Sequence, residues 1–79
     1  MNYEDKRWDS VEVEYIMNSI ANGESYNNLS QITGRSSDDI KNKLLEECNK
    51  RIRNKEGLEA YYCNEYHITS EELRQVVNV

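Results

Sequence analysis

Gly34-Arg35-Ser36-Ser37-Asp38-Asp39-Ile40-Lys41-Asn42-Lys43-Leu44 is the stretch that decides how this 79-residue chain is read. Gly34 can take the left-handed conformation that ends one helix, and Ser36 can accept a hydrogen bond from the amide of Asp39 and so open the next. A three-residue turn results. Ile40 and Leu44 then stand one helical turn apart on the inward side, leaving Asp38, Lys41, Asn42 and Leu45 to face outward or sideways. The pattern is that of a helix, a tight turn and a probe helix, and the outward strip is the candidate site.

Working back from that turn, Tyr26, Leu29 and Ile32 form a short apolar stripe between Ser25, a helix-starting residue, and Thr33-Gly34. A second helix over about 26–33 follows. Further back, Asp9 and Glu12 make a capping box, with Trp8 placed to staple onto Val13. Val13, Ile16, Met17 and Ile20 recur at helical spacing until Asn22-Gly23, which predicts a first helix over about 10–22. Going forward, Ile40, Leu44, Cys48 and Ile52 continue at steps of four with Leu45 beside them, and nothing interrupts the third helix before about residue 54.

The C-terminal third is read through a weak internal repeat. Ile16 and Ile20 line up with Cys48 and Ile52 at an offset of 32, as do Tyr26 and Leu29 with Leu58 and Tyr61; Ser36 and Ile40 match Thr69 and Leu73 at 33. Two degenerate copies of one helix–turn–helix pattern are expected, with the end of the third helix opening the second copy. Leu58, Tyr61, Tyr62 and Tyr66 then give a fourth helix over about 58–66. Thr69 and Glu72 form a second capping box, Ile68 and Leu73 its staple, and Leu73, Val76 and Val77 the apolar side of a fifth helix.

The absence of proline and phenylalanine, the scarcity of glycine and the abundance of Asn, Glu, Lys and Ile favour helices joined by short polar turns. The expectation is one all-α domain over residues 1–79, with a three-helix unit at about 6–50 and a helical extension at about 51–79. A core of this size contributes only a few kcal/mol of net stability, so a partner or self-association would add to it. No apolar run approaches the roughly 20 residues of a membrane span, and the N-terminus lacks the basic-then-apolar order of a secretion signal. An intracellular protein is expected.

Catalysis is not expected. One histidine and two separated cysteines, with no glycine-rich phosphate loop and no clustered carboxylate pair, assemble no catalytic set. Cys48 and Cys63 fall on apolar helical positions and read as buried free thiols. Cys63 and His67 share a spacing of four that can bind a metal, but no second ligand pair completes a tetrahedral site. No cofactor is called for.

A net charge of −5 argues against a nucleic-acid partner, since phosphate binding needs Lys and Arg to displace counterions. The distribution argues the other way. From Arg35 to Lys55 there are seven basic residues against four acidic, a local net of +3, which leaves −8 on the remainder. A basic rod carried on an acidic scaffold is one reading. A solvated helix face with i,i+4 pairs such as Glu46 with Lys50 and Glu47 with Arg51 is the other.

Trp8-Asp9-Ser10 at the start of the first helix, with Gly34-Arg35-Ser36 through Asn42 at the start of the third, resembles the Myb/SANT family of three-helix DNA-binding domains. The likeness covers about residues 6–50. Trp8 matches the first of that family's spaced core tryptophans, while Tyr26 and Leu44 stand at the second and third. Relaxed patterns of this kind are similar to short Myb-like proteins encoded by large DNA viruses, with which the Asn-rich composition is compatible; a viral source would imply the nucleus or a viral factory, any other the cytoplasm.

The resemblance implies a homeodomain-like protein whose third helix enters the major groove of double-stranded DNA, for transcription regulation or DNA architecture. Ile40-Lys41-Asn42 matches the family's Ile-Lys-Asn, so Asn42 would pair with adenine and Lys41 would reach guanine or a phosphate. Arg35 would hold the backbone at the turn, and Lys43, Lys50, Arg51 and Arg53 would attract phosphates. Asp38 departs from the expected polar or basic residue, and Asp39 adds a second negative charge, although an Asp can accept from cytosine N4. SANT-type relatives with acidic faces bind proteins. The rival is therefore a small interaction or structural subunit, a homodimer or a partner complex, with Tyr61, Tyr62 and Tyr66 of the fourth helix and the fifth helix at the interface.

Overall fold

The computed structural model describes residues 8–75, and every regular element in that span is helical. Asp9 accepts the Glu12 amide at 2.9 Å and starts α1 (Ser10–Ala21), which buries Val13, Ile16, Met17 and Ile20. Ser25 accepts the Asn28 amide at 3.0 Å and starts α2 (Tyr26–Thr33). Gly34 ends α2 in the left-handed region at φ 80°, and Ser36, accepting the Asp39 amide at 3.1 Å, starts α3 (Ser37–Arg53). The chain continues through α4 (Glu59–Tyr66) and α5 (Ser70–Gln75). Val76 and Val77 lie outside the described residues.

The longest helix, α3, is the axis of the fold. It packs against α1, α2 and α5, while α1 also touches α4 and α4 touches α5. Its inward series Ile40, Leu44 and Cys48 is fully buried with Ile16, Leu29 and Leu73 around it. Each such aliphatic side chain removed from water contributes about 1.5–3 kcal/mol, which suffices to hold helices as short as α5.

The second copy of the repeat is visible in the backbone. Asn22 and Asn54 end α1 and α3 with near-identical geometry, φ −86°, ψ 4° and φ −86°, ψ 8°. The Gly23 and Glu24 amides donate to the carbonyls of Ile20 and Ser19, and 32 residues on the Lys55 and Glu56 amides donate to those of Ile52 and Arg51. α4 then follows α2 at an offset of 33, both eight residues long. Each is capped by a left-handed residue, Gly34 in the first copy and His67 in the second.

This corrects the register read from the sequence. The one-residue insertion falls in the α3–α4 linker, ahead of α4, so the counterpart of buried Leu29 is Tyr62 and not Tyr61. Tyr61 and Leu58, expected on the apolar side, are 53% and 77% exposed. Ile32, read as part of the stripe of α2, is also exposed, because only Leu29 of that helix points squarely at α3.

Candidate nucleic-acid interface

The candidate residues follow from how α1, α2 and α5 close around α3. Arg35, at the tight turn, lies across to α1: its Nε donates to Glu12 Oε2 at 2.7 Å and a terminal nitrogen to Glu12 Oε1 at 2.9 Å. The guanidinium sits 3.7 Å above the centre of the Trp8 ring, and its side chain is 8% exposed. Hydrogen bonding to Glu12 holds its pKa above the ordinary arginine range. Arg35 is thus an internal clamp between the turn and α1. Its use also alters the first capping box, because the Glu12 carboxylate is committed to Arg35.

Lys41 is turned toward α5. Its Nζ lies 2.9 Å from Glu72 Oε2 and 5.1 Å from the Tyr26 ring centre. Glu72 serves two functions at once, because its Oε1 accepts the Thr69 amide while Thr69 Oγ1 accepts the Glu72 amide, the complete reciprocal box expected there. The Lys41 hydrogen bond is the main reason the Glu72 carboxyl is held below the usual carboxylate range. Burial, with Glu72 adding to it, pushes the Tyr26 hydroxyl up to about 12.

One turn further along the same side, Leu45 is 4% exposed, which corrects its expected outward position. Leu45 lies four residues from Lys41, on the side of α3 that α5 packs against, so it belongs to the core. One turn beyond that, Asn49 Nδ2 donates to the Leu73 carbonyl of α5 at 2.9 Å. Positions 41, 45 and 49 are therefore committed to contacts within the molecule, Leu45 buried and Lys41 and Asn49 partly so.

Of the remaining candidates, Lys43 faces Glu46 at 3.4 Å and Glu47 at 3.8 Å. Arg51 reaches Glu14 of α1 at 3.1 Å and Glu47 at 3.7 Å. A groove of about 300 Å³ runs between the start of α1 and this part of α3, with Trp8, Lys43, Glu47 and Arg51 among its walls. Among the described residues Lys50, Arg53 and Lys55 have no carboxylate within 4.0 Å. Asn42 is exposed, between Asp38 and Asp39 on one side and Glu46 on the other.

The charge segregation of the sequence is largely undone in space. Glu12, Glu14 and Glu72, which come from the acidic remainder, are the partners of Arg35, Arg51 and Lys41. Sequence separations of 23 and 37 for the first two of these pairs explain why local counting missed them.

Tyr62 and Tyr66 stack within the core at 6.2 Å, and Tyr62 donates to the Glu56 carbonyl at 2.9 Å, so of the three tyrosines of α4 only Tyr61 is offered to solvent. No group of three or more His, Cys, Asp or Glu side chains among the described residues gathers to hold a metal ion. No helix there is long and apolar enough to cross a membrane. No family model matches the chain, and searches of curated proteins and of solved structures return no match.

Proposed function

We propose that this chain is a small helical protein-interaction module that presents the outward stripe of α3 to a protein partner and makes no direct contact with DNA. The observation that carries this reading is the charge left on the first half of that stripe. Lys41 and Lys43 are engaged by Glu72 and by Glu46 and Glu47, so Asp38 and Asp39, which pair with no cation among the described residues, set the field around Asn42. A duplex phosphate backbone is repelled by such a surface, whereas a Lys- or Arg-bearing protein segment is attracted. The position of α5 against Lys41, Leu45 and Asn49 supports the same reading, since a helix entering the major groove needs that side clear.

The Myb/SANT resemblance rests on Trp8, Gly34-Arg35-Ser36 and Ile40-Lys41-Asn42, and within this reading it is a likeness of scaffold. An NMR titration at low salt with a mixed-sequence duplex and, separately, with a Lys/Arg-rich peptide tests the proposal. Peptide-induced shifts at Asp38, Asp39, Asn42 and Glu46 with none from the duplex are expected. Micromolar duplex binding that is lost when Lys41 and Asn42 are both replaced by Ala would overturn it in favour of groove reading by α3.

A further inference from the structure

The outward stripe of α3 is bipolar. Asp38, Asp39, Asn42, Glu46, Lys50 and Arg53 are all exposed, and at 3.6 residues per turn they fall within an arc of about 120°. Carboxylates occupy the first half of the stripe, and Lys50 and Arg53, which have no carboxylate partner among the described residues, occupy the last turn. The sequence order of charge is therefore also a spatial order along one line.

A stripe that is negative at one end and positive at the other is complementary to itself when two copies run antiparallel, which is the arrangement a two-fold axis produces. We infer that the partner of this stripe is a second copy of the chain, with α3 packed antiparallel on α3 so that Lys50 and Arg53 of one copy meet Asp38 and Asp39 of the other and Asn42 faces Glu46. The inference rests on the interaction reading above and names its partner. Every charge on the stripe then faces its opposite or an amide, whereas a parallel arrangement would set like against like. The alternative source of the pattern is the helix dipole, which by itself favours acids in a first turn and bases in a last turn. The dipole acts on the first and last turns alone and does not require their charges to share one exposed line, as they do here with Glu46, in mid-helix and already held by Lys43, between them.

The stripe is about 25 Å long and carries no large apolar side chain, so the association is expected to be weak and strongly dependent on salt. Sedimentation equilibrium on the intact chain at about 20 mM and about 500 mM salt reads this directly: a dimer at low salt whose dissociation constant rises at least about tenfold at high salt is expected. K50E/R53E and D38K/D39K variants should each be monomeric, and mixing them should restore a heterodimer.

Carbodiimide coupling of the native protein supplies a readout independent of how those variants fold. Lys50 and Asp38 of one helix lie about 18 Å apart, too far for a direct amide, so a Lys50–Asp38 or Lys50–Asp39 link between isotopically distinct copies can arise only across the pair. A chain that stays monomeric at every concentration and salt overturns the inference, as does a dimer that lacks this link. If the monomer still binds the Lys/Arg-rich peptide at the same stripe, the self-association alone falls; if it binds neither, the interaction reading falls with it.

Discussion

Arg35 and Glu12 are 23 residues apart in the chain and share two hydrogen bonds, of 2.7 and 2.9 Å, beneath which the Trp8 ring supports the guanidinium at 3.7 Å. The pair joins the tight turn before α3 to the first turn of α1, so it fixes the angle between elements that the core only presses together.

Breaking that pair leaves a charge in a site where the arginine side chain is 8% and the glutamate side chain 25% exposed. Loss of one partner of a fully buried pair costs about 3–5 kcal/mol; for this partly buried one Arg35→Ala or Glu12→Ala is expected to cost about 2 kcal/mol. Arg35→Lys should recover only part of it, because an ammonium can neither bond bidentately nor stack flat on Trp8. Urea unfolding of the single and double variants gives the coupling energy. A coupling below about 0.5 kcal/mol would show the pair to be no better than an exposed one.

The two copies of the repeat differ at their corners in a way that predicts opposite responses to glycine. Gly23 and Gly34 hold φ 97° and 80° in the first copy, where Lys55 and His67 hold φ 62° and 59° in the second. A Cβ in this region costs about 1–2 kcal/mol, against which glycine's extra freedom in the unfolded chain sets about 0.5–1 kcal/mol. His67→Gly and Lys55→Gly are each expected to stabilise by about 0.5–1 kcal/mol, a rise of several degrees in Tm for a domain of this size. Gly34→Ala should destabilise by a similar amount, and Gly57→Ala by more, since its Cβ would come within 2.8 Å of the Tyr62 ring. Thermal unfolding decides, and a lowered Tm for His67→Gly would contradict the strain argument.

The corner residues also show how far the sequence could be read. Helix order, the Gly34–Ser36 turn and the inward series of α3 were legible because each depends on residues within one or two turns of each other: a cap, a left-handed glycine, a repeat of four. The α4 register was not, because Leu58 and Tyr61 have the same polarity as Tyr62 and the extra linker residue carries no mark of its own. Leu45 was misplaced for a related reason: whether the second flank of α3 is wet or dry depends on where α5 returns. The site suffered most, since its cations pair with carboxylates on α1 and α5 that only folding brings near.

The thiols offer a test of packing. Cys48 is fully buried in α3, and burial pushes its pKa up to about 12, while Cys63 of α4 is half-buried with Ser70 Oγ at 3.9 Å. The thiolate is the reacting form, so at about pH 8 Cys48 should be alkylated only through opening of the core, and Cys63 well before it. Mass spectrometry after timed iodoacetamide treatment measures both rates. Equal rates for the two cysteines in the native protein would mean that α3 is not the sealed axis described above.

The docking of α5 should respond to acid through Glu72. Its carboxyl is held below its ordinary range chiefly by Lys41, so the stabilisation is fully present above the unfolded-state value and is lost as pH falls through the lower folded-state one. The side chains of Glu72 and Lys41 are 39% and 30% exposed, which limits the ion pair to about 1 kcal/mol or less. Glu72→Gln removes the charge yet keeps an oxygen for the Thr69 amide, so it isolates the ion pair from the cap. The variant is expected to be less stable than the native chain at about pH 7, with the difference closing as pH falls through the lowered folded-state value and the native carboxylate protonates. Leu73→Ala, which empties the apolar seat of α5 on α3, is expected to cost about 2–4 kcal/mol at any pH. Urea unfolding across that pH range distinguishes the two effects. A Glu72→Gln deficit that persists unchanged in acid would place its origin in packing and not in the pairing with Lys41.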